Sequence, residues 1–228
     1  MISAQGSCVT KARCRETSIL RFDVDAALRW LKPQRKVRPL KRRPDDKLSW
    51  IADVAGIGSP VLLDSTVYID TLQGRSPPGL DAFITLRTCN HSAVCLSELT
   101  HAFGRLNPVD PRTTSALKVI RQTIRDIPGH RLVAPDTETW GTAGVLAGIL
   151  FRLGSYVAGA ERKCLNDALV FLQGRKLGWP ILTGNIADFD FLNQLVPDGR
   201  ILLYRRASRR GEALPRAIEM QGRDVGEN

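Results

Sequence analysis

From Pro60 onward, short apolar runs alternate with longer amphipathic stretches, and this alternation limits the fold more than any other feature of the chain. Val61-Leu62-Leu63 is a continuous apolar triplet, as expected of a strand buried on both faces. Residues 65–72 and 79–87 read as helices separated by Ser76-Pro77-Pro78, and residues 89–93 as a weak strand. Residues 94–106 carry Leu96, Leu99, Phe103 and Leu106 at helical spacing. A further helix over 110–127 opens near Pro111 and stops before Pro128-Gly129. Leu132-Val133-Ala134 reads as a strand, and Asp136 as the cap of a helix with Leu146, Ile149, Leu150 and Leu153 on its apolar stripe. Residues 166–177 and 188–195 read as helices, 180–182 and 200–203 as strands. This order predicts an α/β fold, a parallel sheet flanked by helices.

In such a sheet the positions just beyond the strand ends converge on one edge, where open parallel sheets bind their ligands. Four acidic residues stand at apolar-segment edges: Asp64 after the first strand, Glu98 one turn into a helix, Asp167 in Asn166-Asp167-Ala168-Leu169-Val170, and Asp188 after the Thr183-Gly184-Asn185 turn. Each has an ordinary explanation alone. A glutamate on a helix is usually solvated, and an aspartate near a helix start interacts well with the helix dipole or caps it. Gathered together they repel, at a cost of about 3 kcal/mol for two charges ~5 Å apart at an effective dielectric of 20. A hard divalent cation with oxygen ligands, Mg²⁺ or Mn²⁺, turns that cost into binding.

The remaining composition narrows the setting. The 228 residues hold five cysteines, an odd number without a C-x-x-C pair, which argues against a disulfide framework or zinc site and for a reducing, cytoplasmic setting. No run is long and apolar enough to span a bilayer, so no membrane partner is expected. The net charge of +10 is uneven: residues 1–60 carry +7, residues 61–204 only +1, and residues 205–228 +2. Residues 1–58 therefore read as a basic, partly disordered extension with a short helix over 22–31 and one more over 49–55. Within it a proline-punctuated linker carries Arg35, Lys36, Arg38, Lys41, Arg42 and Arg43. Residues 59–205 read as the catalytic domain and 206–228 as a tail. Basic flanks beside an acidic site suit a polyanionic substrate such as RNA, with those six cations as phosphate contacts. His91, His101 and His130 show no metal-ligand spacing and read as structural or surface residues. Asp190, two residues after Asp188, is expected to be an exposed first-turn residue pointing away from the cleft.

The segment Val61-Leu62-Leu63-Asp64-Ser65-Thr66-Val67-Tyr68-Ile69-Asp70 resembles the opening strand and helix of PIN-domain ribonucleases, particularly the VapC-type toxins of bacterial toxin–antitoxin pairs. Ser97-Glu98-Leu99, Asn166-Asp167-Ala168-Leu169 and Leu182-Thr183-Gly184-Asn185-Ile186-Ala187-Asp188-Phe189 are similar to the family's second, third and fourth acidic motifs, in order, over about residues 61–204. Gly184 departs from the pattern, which often has a basic residue there. The resemblance implies a metal-dependent endoribonuclease in which Asp64, Glu98 and Asp167 hold Mg²⁺ or Mn²⁺. Asp188 would complete the site, supported by Ser65, Thr183 and Asn185. It also implies a small antitoxin protein as partner and a homodimer as a common state. A housekeeping RNA-processing nuclease and a non-catalytic RNA-binding protein are the alternatives.

Overall fold

The computed structural model describes residues 22–54 and 58–207. Five strands form one all-parallel sheet: β1 (Val61–Leu63), β2 (Cys89–Ser92), β3 (Leu132–Val133), β4 (Ile181–Thr183) and β5 (Ile201–Leu203), in the order β3-β2-β1-β4-β5. Leu63 lies beside His91 of β2 on one side and Leu182 of β4 on the other. β1, β2 and β4 are buried along their whole length, which accounts for the apolar runs of β1 and β4, whereas β2 buries the polar Asn90, His91 and Ser92.

Eight α-helices accompany the sheet among the described residues: α1 (Val24–Leu31), α2 (Ser65–Leu72), α3 (Leu80–Thr85), α4 (Ala93–Arg105), α5 (Pro111–Arg125), α6 (Thr137–Leu153), α7 (Glu161–Leu177) and α8 (Ile186–Leu195). Short polar side chains fix several starts. Asp64, Ser92, Asp110 and Asp136 each accept a hydrogen bond from a backbone N–H of the first turn of α2, α4, α5 and α6. Leu146 and Leu150 of α6, Leu169 and Phe171 of α7, and Leu62, Ile181 and Leu182 of the sheet are fully buried and form the centre of the core.

The chain leaves β1 toward β2 and β3, then returns to place β4 and β5 on the other side of β1. The order reverses between β1 and β4, so their carboxyl ends open a crevice between helices going opposite ways. The residues that follow those two strands, Asp64 and the turn from Gly184, are therefore positioned at the ligand-binding edge by topology.

Three expectations change. α7 begins at Glu161, five residues earlier than the sequence suggests, without a side-chain cap at Ala160. Asp167 consequently lies in its second turn, buried, where the helix dipole does not explain it. Over the described residues 22–54 the basic extension is packed against the domain. α1 lies on α6, Leu31 is buried, and the Leu40 N–H donates to the Leu153 carbonyl at 2.8 Å. Trp50 forms a parallel bridge to Leu203, continuing the sheet edge, and the Leu203 N–H donates to the Ser49 carbonyl at 2.9 Å.

Asp190 is the third change: it is 1% exposed, not a solvated helix-start residue. It accepts from the Arg43 backbone N–H at 2.8 Å, from Arg43 Nε at 2.5 Å and from Gln194 Nε2 at 2.9 Å. Of the six cations read as RNA contacts, Arg43 is thus committed to Asp190 and Asn193. Arg42 pairs with Asp45, and Lys36 donates to the Leu195 carbonyl. Arg35, Arg38 and Lys41 are exposed. Cys8, Cys14 and all but two residues of the expected tail lie outside the described residues. Cys89, Cys95 and Cys164 are free and buried.

Candidate functional site

Asp64 leaves β1 as the cap of α2 and is 2% exposed. Its Oδ2 accepts from the hydroxyls of Thr66 at 2.6 Å and Thr183 at 2.8 Å, as well as from the Thr66 N–H. Capping is thus a real structural role for Asp64, but a cap needs only one of those donors. Thr183 also accepts from the Asn185 N–H at 2.9 Å, and Thr66 Oγ1 accepts from the Gly184 N–H at 3.0 Å. These bonds tie the turn after β4 to the end of β1.

Asn185 extends the link to the other two aspartates. Its Nδ2 donates to Asp167 Oδ2 at 3.2 Å and to Asp188 Oδ2 at 2.8 Å. Glu98, half-buried on α4, accepts from Asn166 Nδ2 at 2.7 Å, and the Ser65 hydroxyl also bonds to it. One hydrogen-bonded network therefore joins the neighbourhoods of all four acids, through the supporting residues Ser65, Thr183 and Asn185.

The electrostatics agree with that proximity. Burial, first, pushes the Asp167 carboxyl well above its ordinary value, and the negative charges of Asp188, Asp64 and Glu98 push it further, against Lys163. Glu98 is also raised, chiefly by burial and then by Asp64, against hydrogen bonds from Asn166 and Ser65. Asp188 is the exception. Although burial opposes ionisation, the Lys163 ammonium, Tyr156 and Asn185 together hold its carboxyl below its ordinary value.

Lys163 and Tyr156 are the residues sequence reasoning misses. Lys163 Nζ donates to Asp188 Oδ2 and lies 3.9 Å from Asp167 Oδ2, one turn away on the same helix. The Tyr156 hydroxyl donates to Asp188 Oδ1. The i,i+4 spacing of Lys163 and Asp167 was a usable signal, obscured because the start of α7 was read too late. His91 has its Nδ1 2.5 Å from the Tyr68 hydroxyl, and burial lowers its pKa.

Gly184 has a steric reason. A Cβ there would stand 2.8 Å from the Tyr204 ring and 2.9 Å from Asp70 Oδ2, leaving no room for a side chain. Asp70 is fully buried and accepts from Tyr204 Oη at 2.8 Å and from Arg206 Nε at 2.9 Å.

The donor set, four carboxylates with supporting hydroxyls and amides, is that of a hard divalent cation. Among the described residues, no three His, Cys, Asp or Glu side chains stand as a ready-made ligand group. The fit to Mg²⁺ or Mn²⁺ thus rests on the oxygen chemistry of these donors and on the burial, with neighbouring negative charge added, that raises Asp167.

No family model matches the chain, and no curated protein matches it. Among solved structures it is similar to a chain of FitAcB from Neisseria gonorrhoeae, with 15% identity over 63% of this chain and 96% of that one, at a TM-score of 0.44. A likeness of that size carries no argument about activity. Among the described residues no helix is long and apolar enough to cross a membrane.

Proposed function

We propose that the chain is a metal-dependent endoribonuclease of PIN type and the toxin of a toxin–antitoxin pair, with a small antitoxin protein as its partner. The observation that carries the reading is the network that gathers Asp64, Glu98, Asp167 and Asp188 at the crevice between β1 and β4. Burial, and after it the negative charges of Asp188, Asp64 and Glu98, raise the Asp167 carboxyl, a perturbation of the kind that functional sites collect.

Asp64, Glu98 and Asp167 would hold Mg²⁺ or Mn²⁺, directly or through water, with Asp188 beside them. When bound, such an ion lowers the pKa of a coordinated water and neutralises charge developing on a phosphodiester. The chain's own residues do the positioning. Thr66 and Thr183 fix one oxygen of Asp64, Asn166 fixes one of Glu98, and Asn185 fixes Asp167 relative to Asp188. The exposed Arg35, Arg38 and Lys41 would add sequence-independent affinity for the RNA backbone.

Incubation of the purified chain with total RNA, with Mg²⁺ and with chelator, followed by mapping of new ends, tests the nuclease. Defined ends that need the metal support it; RNA left intact in both arms removes it. Growth arrest on expression in a bacterial host, relieved by a small adjacent gene product, tests the toxin role. An active nuclease to which the host is indifferent points instead to RNA processing.

A further inference from the structure

We propose that Lys163 is the site's built-in second cation: its ammonium neutralises the Asp188 side, so that the acidic cluster takes one divalent ion rather than two. This inference rests on the metal-dependent reading above and specifies its stoichiometry.

The four carboxylates are not equivalent. The hydrogen bonds described for Asp64 and Asp167 hold one oxygen of each, Oδ2 in both, while Glu98 is held at Oε1 by Asn166 and also by Ser65. Asp188 has both oxygens engaged, Oδ1 by the Tyr156 hydroxyl and Oδ2 by Lys163 and Asn185. A carboxylate with both oxygens bonded to protein donors offers little to a metal, and one already facing an ammonium offers less. Lys163 is no loose surface cation either. Its side chain is 22% exposed and that of Asp188 only 7%, whereas long surface ammonium groups are ordinarily solvated.

The backbone is shaped to complete this arrangement. Ser155 adopts φ 58°, left-handed for a residue other than glycine, and thereby directs the chain into Tyr156. A Cβ on Gly154 would collide with the Tyr156 ring, so glycine permits the approach that brings the phenol to Asp188. The ring also stacks on Phe151, at 6.3 Å between centroids and 15° between planes. Tyr156 and Lys163 thus arrive from opposite ends of the α6–α7 connection to hold one carboxylate. Asp167 separates this unit from Asp64 and Glu98: it meets Asp188 through Asn185 and Lys163, and Glu98 through the adjacent Asn166.

The test is equilibrium dialysis of the full chain against Mn²⁺, with bound metal measured per chain for wild type, Lys163→Arg and Lys163→Met. The expected counts are one ion for wild type, one for Lys163→Arg, which keeps the positive charge, and two for Lys163→Met, which removes it. Two ions on the wild type overturn the inference directly, whether or not the methionine variant folds. One ion on a folded Lys163→Met overturns it while leaving the nuclease reading intact. No Mn²⁺ on any folded variant overturns both the inference and the reading beneath it.

Discussion

Arg43 and Asp190 lie 147 residues apart and fasten the N-terminal segment to α8, and their unequal burial predicts unequal mutational costs. The Asp190 side chain is 0% exposed, that of Arg43 35%. Arg43→Ala strands a buried carboxylate without its counter-charge, a change that costs about 3–5 kcal/mol at buried pairs. The bonds that remain from the Arg43 N–H and Gln194 put the expectation near the lower end, about 3 kcal/mol. Asp190→Ala leaves a guanidinium that is a third exposed and able to rehydrate. Its loss is closer to about 1.5–2 kcal/mol, the range for a charged hydrogen bond. For a chain of this length, 3 kcal/mol corresponds to a fall in Tm of roughly 6–12 °C. Urea unfolding followed by circular dichroism measures both single variants and the double variant, whose cycle should give a coupling of about 1.5 kcal/mol or more. Costs below about 0.5 kcal/mol for both singles, the level of an exposed pair, would refute the buried latch.

Deleting residues 1–54 should yield an insoluble or strongly destabilised protein, because it removes α1, the Trp50 bridge and Arg43 together; a truncated form with the parent's Tm contradicts this. Thr183→Val cuts the link from β4 to Asp64 and should weaken Mn²⁺ affinity about 10–100-fold, measured by titration, as loss of an outer hydrogen bond does at metal sites. The Lys176 bond and then Thr139 hold the Asp136 carboxyl down to about 2, below its unfolded value. Its stabilisation is complete above the unfolded pKa and disappears as pH falls through about 2. Asp136→Asn, which retains the cap, should therefore be less stable than wild type at neutral pH and equal to it near the acid end of a denaturation series. Gly184→Lys should destabilise the fold by displacing Tyr204 from Asp70, visible as a lowered Tm and altered near-ultraviolet dichroism.

β1 and β4 were legible because strands buried on both faces show as apolar runs, whereas β2, Cys89-Asn90-His91-Ser92, carries no such run and gave only a weak signal. Helix starts with a side-chain cap were legible for the same local reason. Asp110-Pro111 and Asp136 announce α5 and α6, whereas α7, with Ala160 at its cap position and Glu161-Arg162-Lys163 in its first turn, announces nothing. Asp64, Glu98, Asp167 and Asp188 could be named from their positions relative to those segments. Tyr156 could not, because it acts from a connection whose geometry depends on Ser155 and Gly154, and Lys163 stayed hidden because the uncapped start of α7 conceals its i,i+4 relation to Asp167. The packing of residues 22–54 was not legible because a basic, proline-rich composition is that of a linker. What orders it lies far along the sequence, in Leu153, Asp190, Leu195 and Leu203.

Whether the acidic crevice binds a divalent ion and cuts RNA with it is decided by Asp64→Asn in the full chain. Asparagine caps a helix about as well as aspartate, so the fold should survive while the charge is lost. Cleavage of a defined RNA in Mn²⁺ should fall by about 100-fold or more, equivalent to about 2.7 kcal/mol of barrier, and wild type in chelator should be equally inactive. Undiminished cleavage by a folded Asp64→Asn, or full activity of wild type in chelator, would contradict the account.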